Sequence, residues 1–302
     1  MSQSTTEASP RGSLFSRLGV VFMRVLSRVP LPLVRALGWV LGQVLCTLAW
    51  SRRRVVEVNW GLCFPQETPE QRRRAVRAHF VQFAQAWLDR SWLWEAPSHV
   101  VRQRLRLVGQ VHALEGDTPT LVFAPHFVGM DAGWIGLTLL QPRRCAGIYA
   151  PQANAAVDAW MAQGRQRFGD PLVVAKWQGL KPLVAAMRAG MPLYLLPDMD
   201  HGMADSVWAP FFGTPVATLS SLSRFARLGR AQVVPVISRM TSTGYDVEVL
   251  PAWQNYPTDD LAADTARMNR ELEALIATMP TQYYWVHKRF KTRPEGQPSF
   301  YR

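Results

Sequence analysis

The stretch TLVFAPHFVGMDAGWIGLTLL, residues 120 to 140, joins a short apolar run, a polar turn and an apolar helix in direct succession. The run TLVFA at 120 to 124 predicts a buried strand. His126 falls in the turn, and Asp131 falls in the first turn of the helix. A strand that leads into a helix in this way is typical of a parallel sheet covered by helices.

Other segments of the chain extend this pattern. Further apolar runs of strand length lie at 145 to 149, 192 to 196, 232 to 237 and 245 to 250. Upstream, Thr68, Pro69 and Gln71 match an N-cap, a first-turn proline and a capping box, so they predict the start of a long amphipathic helix. We therefore predict an α/β fold with a largely parallel twisted sheet flanked by helices.

Length and composition restrict the class of protein. The chain has 302 residues, of which 48% are hydrophobic, which is enough for a sizeable core. Its three cysteines lie far apart and form no CxxC pair, which argues against a disulfide framework or a cysteine zinc site. The net charge is +12, and 30 of the 34 cationic residues are arginines. This balance predicts an anionic partner such as nucleic acid, a phospholipid surface or a phosphorylated substrate.

Half of this charge comes from the first 60 residues, where eight arginines stand against two glutamates. Within them, LPLVRALGWVLGQVLCTLAW at 31 to 50 contains one charge, Arg35. The run is too long and begins too late to favour a cleaved signal peptide. A membrane-associated helix, spanning or interfacial, fits best, because Arg35 near one end can extend to the membrane interface. A buried helix of a soluble protein stays open as the alternative.

These patterns divide the chain into three parts. We expect a flexible N-terminus at 1–13, a basic amphipathic region at 14–54 that includes the membrane helix at 31–50, and one globular domain at 55–302. No linker, low-complexity tract or repeat interrupts that domain. If the helix spans a bilayer, the arginines at 52–54 hold the domain on the cytoplasmic side.

The ends of the predicted strands are the first place to look for chemistry, because active sites of parallel sheets lie at the carboxyl ends of strands. A carboxylate that holds one nitrogen of His126 would fix its tautomer and leave the other free to take a proton. His112 and Asp117 repeat the spacing of His126 and Asp131. No strand precedes that second pair, so the context selects His126. A structural histidine at a strand end is the alternative.

Several blocks of the chain resemble the late acyltransferases of lipid A biosynthesis, which belong to the lysophospholipid acyltransferase group of HxxxxD/E enzymes. The blocks are NWGLCFP at 59 to 65, APHFVGMDAG at 124 to 133, YAPQANAAVDAWMAQGRQRFG at 149 to 169, LLPDMDHGMADSVWAPFFG at 195 to 213, SRFARLGRAQVVP at 223 to 235 and QYYWVHKRFKTRPEGQPSFY at 282 to 301. They follow the family's order and cover most of the chain.

The resemblance implies transfer of a fatty acyl chain from acyl carrier protein to a hydroxyl of a lipid A precursor, at the cytoplasmic face of the bacterial inner membrane. By position, His126 matches the family's general base and Asp131 its partner acid, where many members have Glu. Arg165 matches the arginine of the G-R-x-R block, and Asp198 matches the first acid of the P-D-x-D block. The resemblance thus places His126 and Asp131 in catalysis and Arg165 and Asp198 in substrate binding.

Each substrate-binding assignment has a structural alternative. The Arg165 guanidinium suits a phosphate of the precursor or of the phosphopantetheine arm, but Arg165 and Arg167 also fit a solvated helix face. Asp198 would either pair with Arg165 near the base or cap a turn with Asp200. Apolar residues next to His126 are candidates for an acyl channel or for the core, namely Phe127, Met130 and Trp134.

Two other functions remain open at this stage. One is acylation of another polar lipid, such as an amino-acid lipid or a lysophospholipid, and the other is a non-catalytic, basic, membrane-binding protein that does not need His126. The segment WVHKRFKTRP at 285 to 294 suits lipid phosphates or a nucleic-acid strand, but no recognition motif supports a nucleic-acid partner. No cofactor fingerprint or phosphate-binding glycine loop occurs, so we expect neither a cofactor nor a metal.

Overall fold

The computed structural model describes residues 14–301, so the N-terminus predicted to be flexible, 1–13, lies outside the described residues. The helices in the described part are α1 Leu14–Leu26, α2 Leu31–Leu48, α3 Trp50–Cys63, α4 Pro69–Glu95, α5 Ser98–Arg104, α6 Met130–Leu140, α7 Ala155–Arg165, α8 Lys181–Arg188, α9 Ser221–Gly229 and α10 Leu261–Thr278. The strands are β1 Leu105–Gly109, β2 Thr120–Phe123, β3 Ala146–Tyr149, β4 Leu172–Ala175, β5 Leu193–Leu195, β6 Ser206–Phe211, β7 Thr214–Leu219, β8 Gln232–Met240 and β9 Tyr245–Val249.

The predicted α/β architecture is confirmed. Seven strands form one sheet in the order β1-β9-β8-β2-β5-β3-β4. Its neighbouring strands run parallel, except that β8 and β9 are antiparallel. The strands β6 and β7 form a separate antiparallel hairpin. The predicted start of α4 is also confirmed, because Thr68 and Gln71 exchange the two hydrogen bonds of a capping box.

The central sheet has one hydrophobic core on each face, since successive strand residues point in opposite directions. On one face, Leu121 and Phe123 of β2 belong to the same core as buried residues of α8, α9 and α10. On the other face, Val122 belongs to the same core as buried residues of α1, α2, α6 and α7. Helix α4 is 27 residues long and contributes to both cores. Helix α6 thus packs on one face of the sheet and the pair α8 and α9 on the other, whereas α1 and α2 pack mainly on α4.

Helix α2 coincides with most of the predicted membrane helix. By length and composition it can cross a membrane, and 22% of its 18 residues are buried. The buried side includes Gly38 and Gly42 and packs on α4. A Cβ at Gly42 would lie 2.4 Å from the Cα of Val81, so only glycine permits this close approach. Six large apolar residues of α2 are exposed, namely Leu33, Leu37, Trp39, Val40, Val44 and Leu48.

Arg35 turns into the protein instead of extending to a membrane interface. Its Nη2 lies 2.9 Å from Oδ2 of the fully buried Asp89 on α4. The hydroxyl of Tyr245 donates to the same oxygen at 2.6 Å. A buried carboxylate requires a counter-charge and hydrogen bonds, and Arg35 supplies the charge. The ion pair consequently fixes α2 to α4.

Candidate active site

The sheet places His126 and Asp198 side by side. Strands β2 and β5 are parallel neighbours, and Phe123 is in register with Leu195. If the same offset continues for three residues beyond each strand, His126 stands opposite Asp198. Both residues thus lie at the carboxyl edge of the sheet, where the sequence analysis sought the chemistry.

A short hydrogen bond joins these two side chains. Nδ1 of His126 lies 2.7 Å from Oδ1 of Asp198, and the His126 backbone N–H donates to both carboxylate oxygens, at 3.2 and 3.1 Å. The hydroxyl of Tyr283 donates to Oδ2 at 3.0 Å. Because the carboxylate accepts from Nδ1–H, the second nitrogen, Nε2, is left as the proton acceptor.

The electrostatics of this pair keep the acid ionised. Burial by itself raises the pKa of Asp198, which is fully buried. The charge of His126 and the hydrogen bonds from His126 and Tyr283 outweigh burial, so the pKa of Asp198 lies below its ordinary value. An ionised Asp198 holds the imidazole in one orientation and stabilises its protonated form.

Asp131 has different partners. The Nε of Arg90 donates to Oδ2 of Asp131 at 2.7 Å, and Nη2 of Arg165 lies 3.3 Å from Oδ1. Burial raises the pKa of Asp131, but the two guanidinium charges outweigh it and hold the pKa below its ordinary value. Asp131 therefore forms a buried cluster with two permanent cations.

In the structure, Asp198 and Asp131 each contact the partner that the sequence analysis assigned to the other. The predicted orientation of His126 by Asp131 is wrong, and so is the pairing of Asp198 with Arg165. The reason is sheet order, since β5 lies next to β2 and brings Asp198 beside the turn that holds His126. In the first turn of α6, Asp131 meets arginines of α4 and α7, which pack against that helix.

Two arginines near this cluster differ in what they contact. Arg165 ends α7 and lines the cavity above His126. Arg167 donates to the backbone carbonyls of Leu93 and Ala96 at the end of α4. The two are therefore not one solvated face, because Arg167 supports the backbone and Arg165 faces the site. Arg90, which sequence reasoning missed, lies among apolar residues of α4, and no motif distinguishes it.

The site opens into a cavity of about 1200 Å³. Pockets for small ligands are typically about 300 to 1,000 Å³, so this one has room for a larger molecule. Of the candidate channel residues, Met130 and Trp134 line it, together with Phe83, Trp160 and Met161. Phe127 is a core residue instead and packs on Tyr283 with the ring centroids 5.8 Å apart. His126, Arg90, Asp131 and Arg165 contribute the polar part of the wall near the sheet.

The C-terminal basic segment is largely internal. Arg289 is only 1% exposed and donates to the carbonyl of Ala217 at 2.9 Å. The backbone N–H of Tyr284 donates to the His126 carbonyl at 2.8 Å, which fixes the turn that holds the imidazole. Burial, followed by the charges of His126 and Arg289, lowers the pKa of His287 to about 4. Its neutral Nε2 accepts a hydrogen bond from the Asp200 N–H at 3.0 Å.

Among residues 14–301, no group of three or more His, Cys, Asp and Glu side chains is arranged to hold a metal ion. The arrangement instead offers a base with an orienting carboxylate, a pair of fixed cations and an apolar cavity. Such a combination suits transfer of an apolar group to a hydroxyl of an anionic acceptor.

Known proteins of similar sequence are acyltransferases. Residues 3–292 match the model of the family described as bacterial lipid A biosynthesis acyltransferase. The chain is 29% identical to the lipid A biosynthesis lauroyltransferase of Escherichia coli (strain K12), over 94% of each chain. It is 30% identical to the lipid A biosynthesis palmitoleoyltransferase of the same strain, over 94% of this chain and 92% of that one. Among solved structures, the 1-acyl-sn-glycerophosphate (LPA) acyltransferase PlsC from Thermotoga maritima aligns with 80% of this chain and 94% of that chain, at 12% identity and a TM-score of 0.37.

Proposed function

Because the chain belongs to the bacterial lipid A biosynthesis acyltransferase family, we propose that it transfers a fatty acyl chain from acyl carrier protein to a hydroxyl of a lipid A precursor. The observation that chiefly supports this proposal is the hydrogen-bonded pair of His126 and Asp198 at the wall of a large cavity, beside two arginines. The product is an acyloxyacyl ester when the hydroxyl belongs to an acyl chain already on the precursor.

In this mechanism His126 is the general base. Its Nε2 takes the proton of the acceptor hydroxyl as that oxygen attacks the carbonyl carbon of the thioester. A C–O bond forms, and the C–S bond then breaks. The proton passes from His126 to the departing sulfur, which leaves the thiol of the carrier arm and restores the neutral imidazole. Asp198 orients the imidazole through Nδ1–H and stabilises its positive charge between the two proton transfers.

The cluster of Asp131, Arg90 and Arg165 supplies a binding site for an anion. Two guanidinium groups and one carboxylate leave one net positive charge next to the base. Guanidinium groups present several N–H donors in a fixed plane, which suits a phosphate of the precursor or of the phosphopantetheine arm. Asp131 acts as the positioning acid, because it holds both arginines at the cavity wall.

The exposed apolar faces of α1 and α2 form the membrane anchor at the cytoplasmic face of the inner membrane. We infer that α2 lies in the interface and does not span the bilayer. A spanning α2 would have to leave α4 and separate Arg35 from Asp89, which would leave a buried carboxylate without its cation. Breaking a buried pair in this way is strongly unfavourable, whereas an interfacial α2 keeps the pair and buries only its outer face in lipid.

Mass spectrometry of a reconstituted reaction tests the proposed activity. The purified protein is incubated with acyl carrier protein bearing a fatty acid and with a lipid A precursor bearing Kdo sugars. We expect the precursor to gain the mass of one acyl chain with the parent protein and not with the His126→Ala variant. If the precursor stays unchanged and an amino-acid lipid or a lysophospholipid is acylated instead, the acceptor is that lipid and not a lipid A precursor. If the His126→Ala variant still acylates the precursor, His126 is not the general base.

A further inference from the structure

A second group of exposed apolar side chains surrounds the cavity mouth. Outside α1 to α3, six large apolar residues of the described chain are exposed, and five line the cavity or lie next to a lining residue. Trp87 lies on α4, beside the anchor. The other four are Trp177, Leu180, Met203 and Leu228, with exposed fractions of 71%, 48%, 40% and 50%. We call these four, together with the neighbouring cations Lys176, Lys181 and Arg224, the rim patch.

The rim patch and the membrane anchor are built on different elements. The residues at 176–181 lie on α8 or in the turn before it, Arg224 and Leu228 lie on α9, and Met203 lies in the loop between β5 and β6. A hydrogen bond from Arg188 to the Leu228 carbonyl, at 2.9 Å, joins α8 and α9. These two helices pack on the central strands β2, β3 and β5, whereas α1 and α2 pack mainly on α4. Exposed apolar side chains that cluster at a cavity mouth in this way mark an interaction surface.

The charge of the rim patch is positive. It has three cations and one nearby acid, Asp205, which Arg224 contacts at 3.1 Å. Within residues 14–301, neither Lys176 nor Lys181 forms an ion pair. Lys181 also begins α8, where a cation opposes the helix dipole. Helix stability therefore does not explain this lysine, whereas an acidic partner would.

We propose that the rim patch is the docking surface for the acyl carrier protein, an acidic partner whose acyl arm enters the cavity between Leu180 and Leu228. This inference rests on the proposed function, which makes a carrier protein the acyl donor. The lipid acceptor then enters from the opposite side, where Phe83 and Trp87 line the same cavity beside α2. Donor and acceptor thus reach His126 from different sides and do not compete for one entrance.

Steady-state kinetics of the full-length enzyme with acyl carrier protein tests this surface. The variant with both Lys176→Glu and Lys181→Glu should raise KM for the loaded carrier about tenfold, because it reverses two charges at the contact. The value of kcat at saturating carrier should stay unchanged, since neither lysine touches the reacting atoms. Trp177→Ser should raise the same KM by a few fold through lost apolar contact. Added salt should raise KM of the parent enzyme and have little effect on the double variant.

Arg102→Glu is the matched control, because Arg102 is also exposed but lies on α5, outside the cavity wall. It should leave KM unchanged. An unchanged KM in the Lys176 and Lys181 variant would overturn the docking surface. A lower kcat at an unchanged KM would also overturn it. Loss of liposome co-sedimentation by this variant would show that the patch contacts the membrane, and would likewise overturn the proposal. A parent enzyme that accepts no acyl group from the carrier would instead overturn the proposed function.

Discussion

Asp198 and Asp131 are both buried beside the same cavity, and both have pKa values below the ordinary range. Their cations differ in kind. Asp198 contacts the imidazole of His126, a kind of side chain that can take up and release a proton, whereas Asp131 contacts guanidinium groups, a kind that stays charged. The first region can therefore move a proton, and the second can only hold a charge in place. In the proposed mechanism, proton transfer and anion binding are therefore separated, because each carboxylate contacts a different kind of cation.

The largest effect is expected from removal of the imidazole itself. His126→Ala should lower kcat by about 10² to 10⁴-fold, which is the usual contribution of a positioned base. Expression and liposome binding should stay at the parental level, because the proposed anchor lies on α1 and α2, away from His126. His112→Ala is the control, since His112 has the same spacing to an acid but lies outside the cavity wall. The expectation that no strand precedes His112 is wrong, because β1 ends at Gly109. Near-parental acyl transfer by a folded His126→Ala enzyme would refute the assignment.

The comparison itself predicts unequal effects for the two acids. Asp198→Asn keeps the shape but favours the wrong imidazole tautomer, so kcat should fall by about 10²-fold or more. Asp131→Asn leaves the imidazole and its carboxylate intact, so we expect a loss nearer tenfold, mainly in KM for the lipid acceptor. Asp131→Glu should retain more activity than Asp131→Asn, because it keeps the charge that holds the arginines. Equal losses of kcat in the two asparagine variants would mean that Asp198 and Asp131 do not have the different roles proposed for them.

The arginines provide a smaller and more selective test. Arg165→Ala should raise KM several-fold and lower kcat little, and Arg165→Lys should recover part of the loss, since an ammonium cannot make a bidentate phosphate contact. Arg167→Ala should leave KM unchanged and lower the melting temperature, because Arg167 binds carbonyls at the end of α4. Initial rates over a range of lipid concentrations, with thermal unfolding of each variant, separate these outcomes.

The sequence was sufficient for the architecture but not for the pairing within the site. The buried runs at 120 to 124, 145 to 149 and 192 to 196 each contain a strand, because a buried parallel strand is almost continuously apolar. The edge strands β1 and β4 were missed, since they are partly exposed and lack that pattern.

The hairpin of β6 and β7 was missed for another reason. Pro210 and Pro215 predict against a strand, yet they face each other in this two-stranded ribbon, where prolines are tolerated at unpaired edges. Its two-residue turn has positive φ at both Phe212 and Gly213, as a type I′ turn requires. Nothing in the local pattern identifies Phe212 as a residue with that conformation.

The partner of His126 depends on sheet order, which no local pattern reveals. Strand β5 lies next to β2, although β3 and β4 come between them in the sequence. Only this order places Asp198 next to His126, because it sets which strand ends are adjacent. A five-residue spacing suggested Asp131 instead, and the direction of α6 turned that carboxylate toward α4 and α7. Motif spacing therefore pointed to His126 but paired it with the wrong carboxylate.

The smallest expected effect comes from Tyr283, whose hydroxyl contacts Asp198 and not the imidazole. Tyr283→Phe removes one hydrogen bond to the carboxylate, so stability at neutral pH should fall by about 1 to 2 kcal/mol and kcat by a few fold.

The pH dependence of that loss distinguishes a contact with the ionised acid from simple packing. An acid with a lowered pKa in the folded state stabilises the protein above its unfolded-state pKa, and this contribution disappears as pH falls through the folded-state value. Because the Tyr283 hydroxyl helps to lower the pKa of Asp198, the difference in stability between parent and Tyr283→Phe should be largest near neutral pH. It should shrink in the acid range, below pH ~4, once Asp198 protonates. Urea unfolding at a series of pH values measures this difference, and a pH-independent gap would mean that Tyr283 acts only through packing.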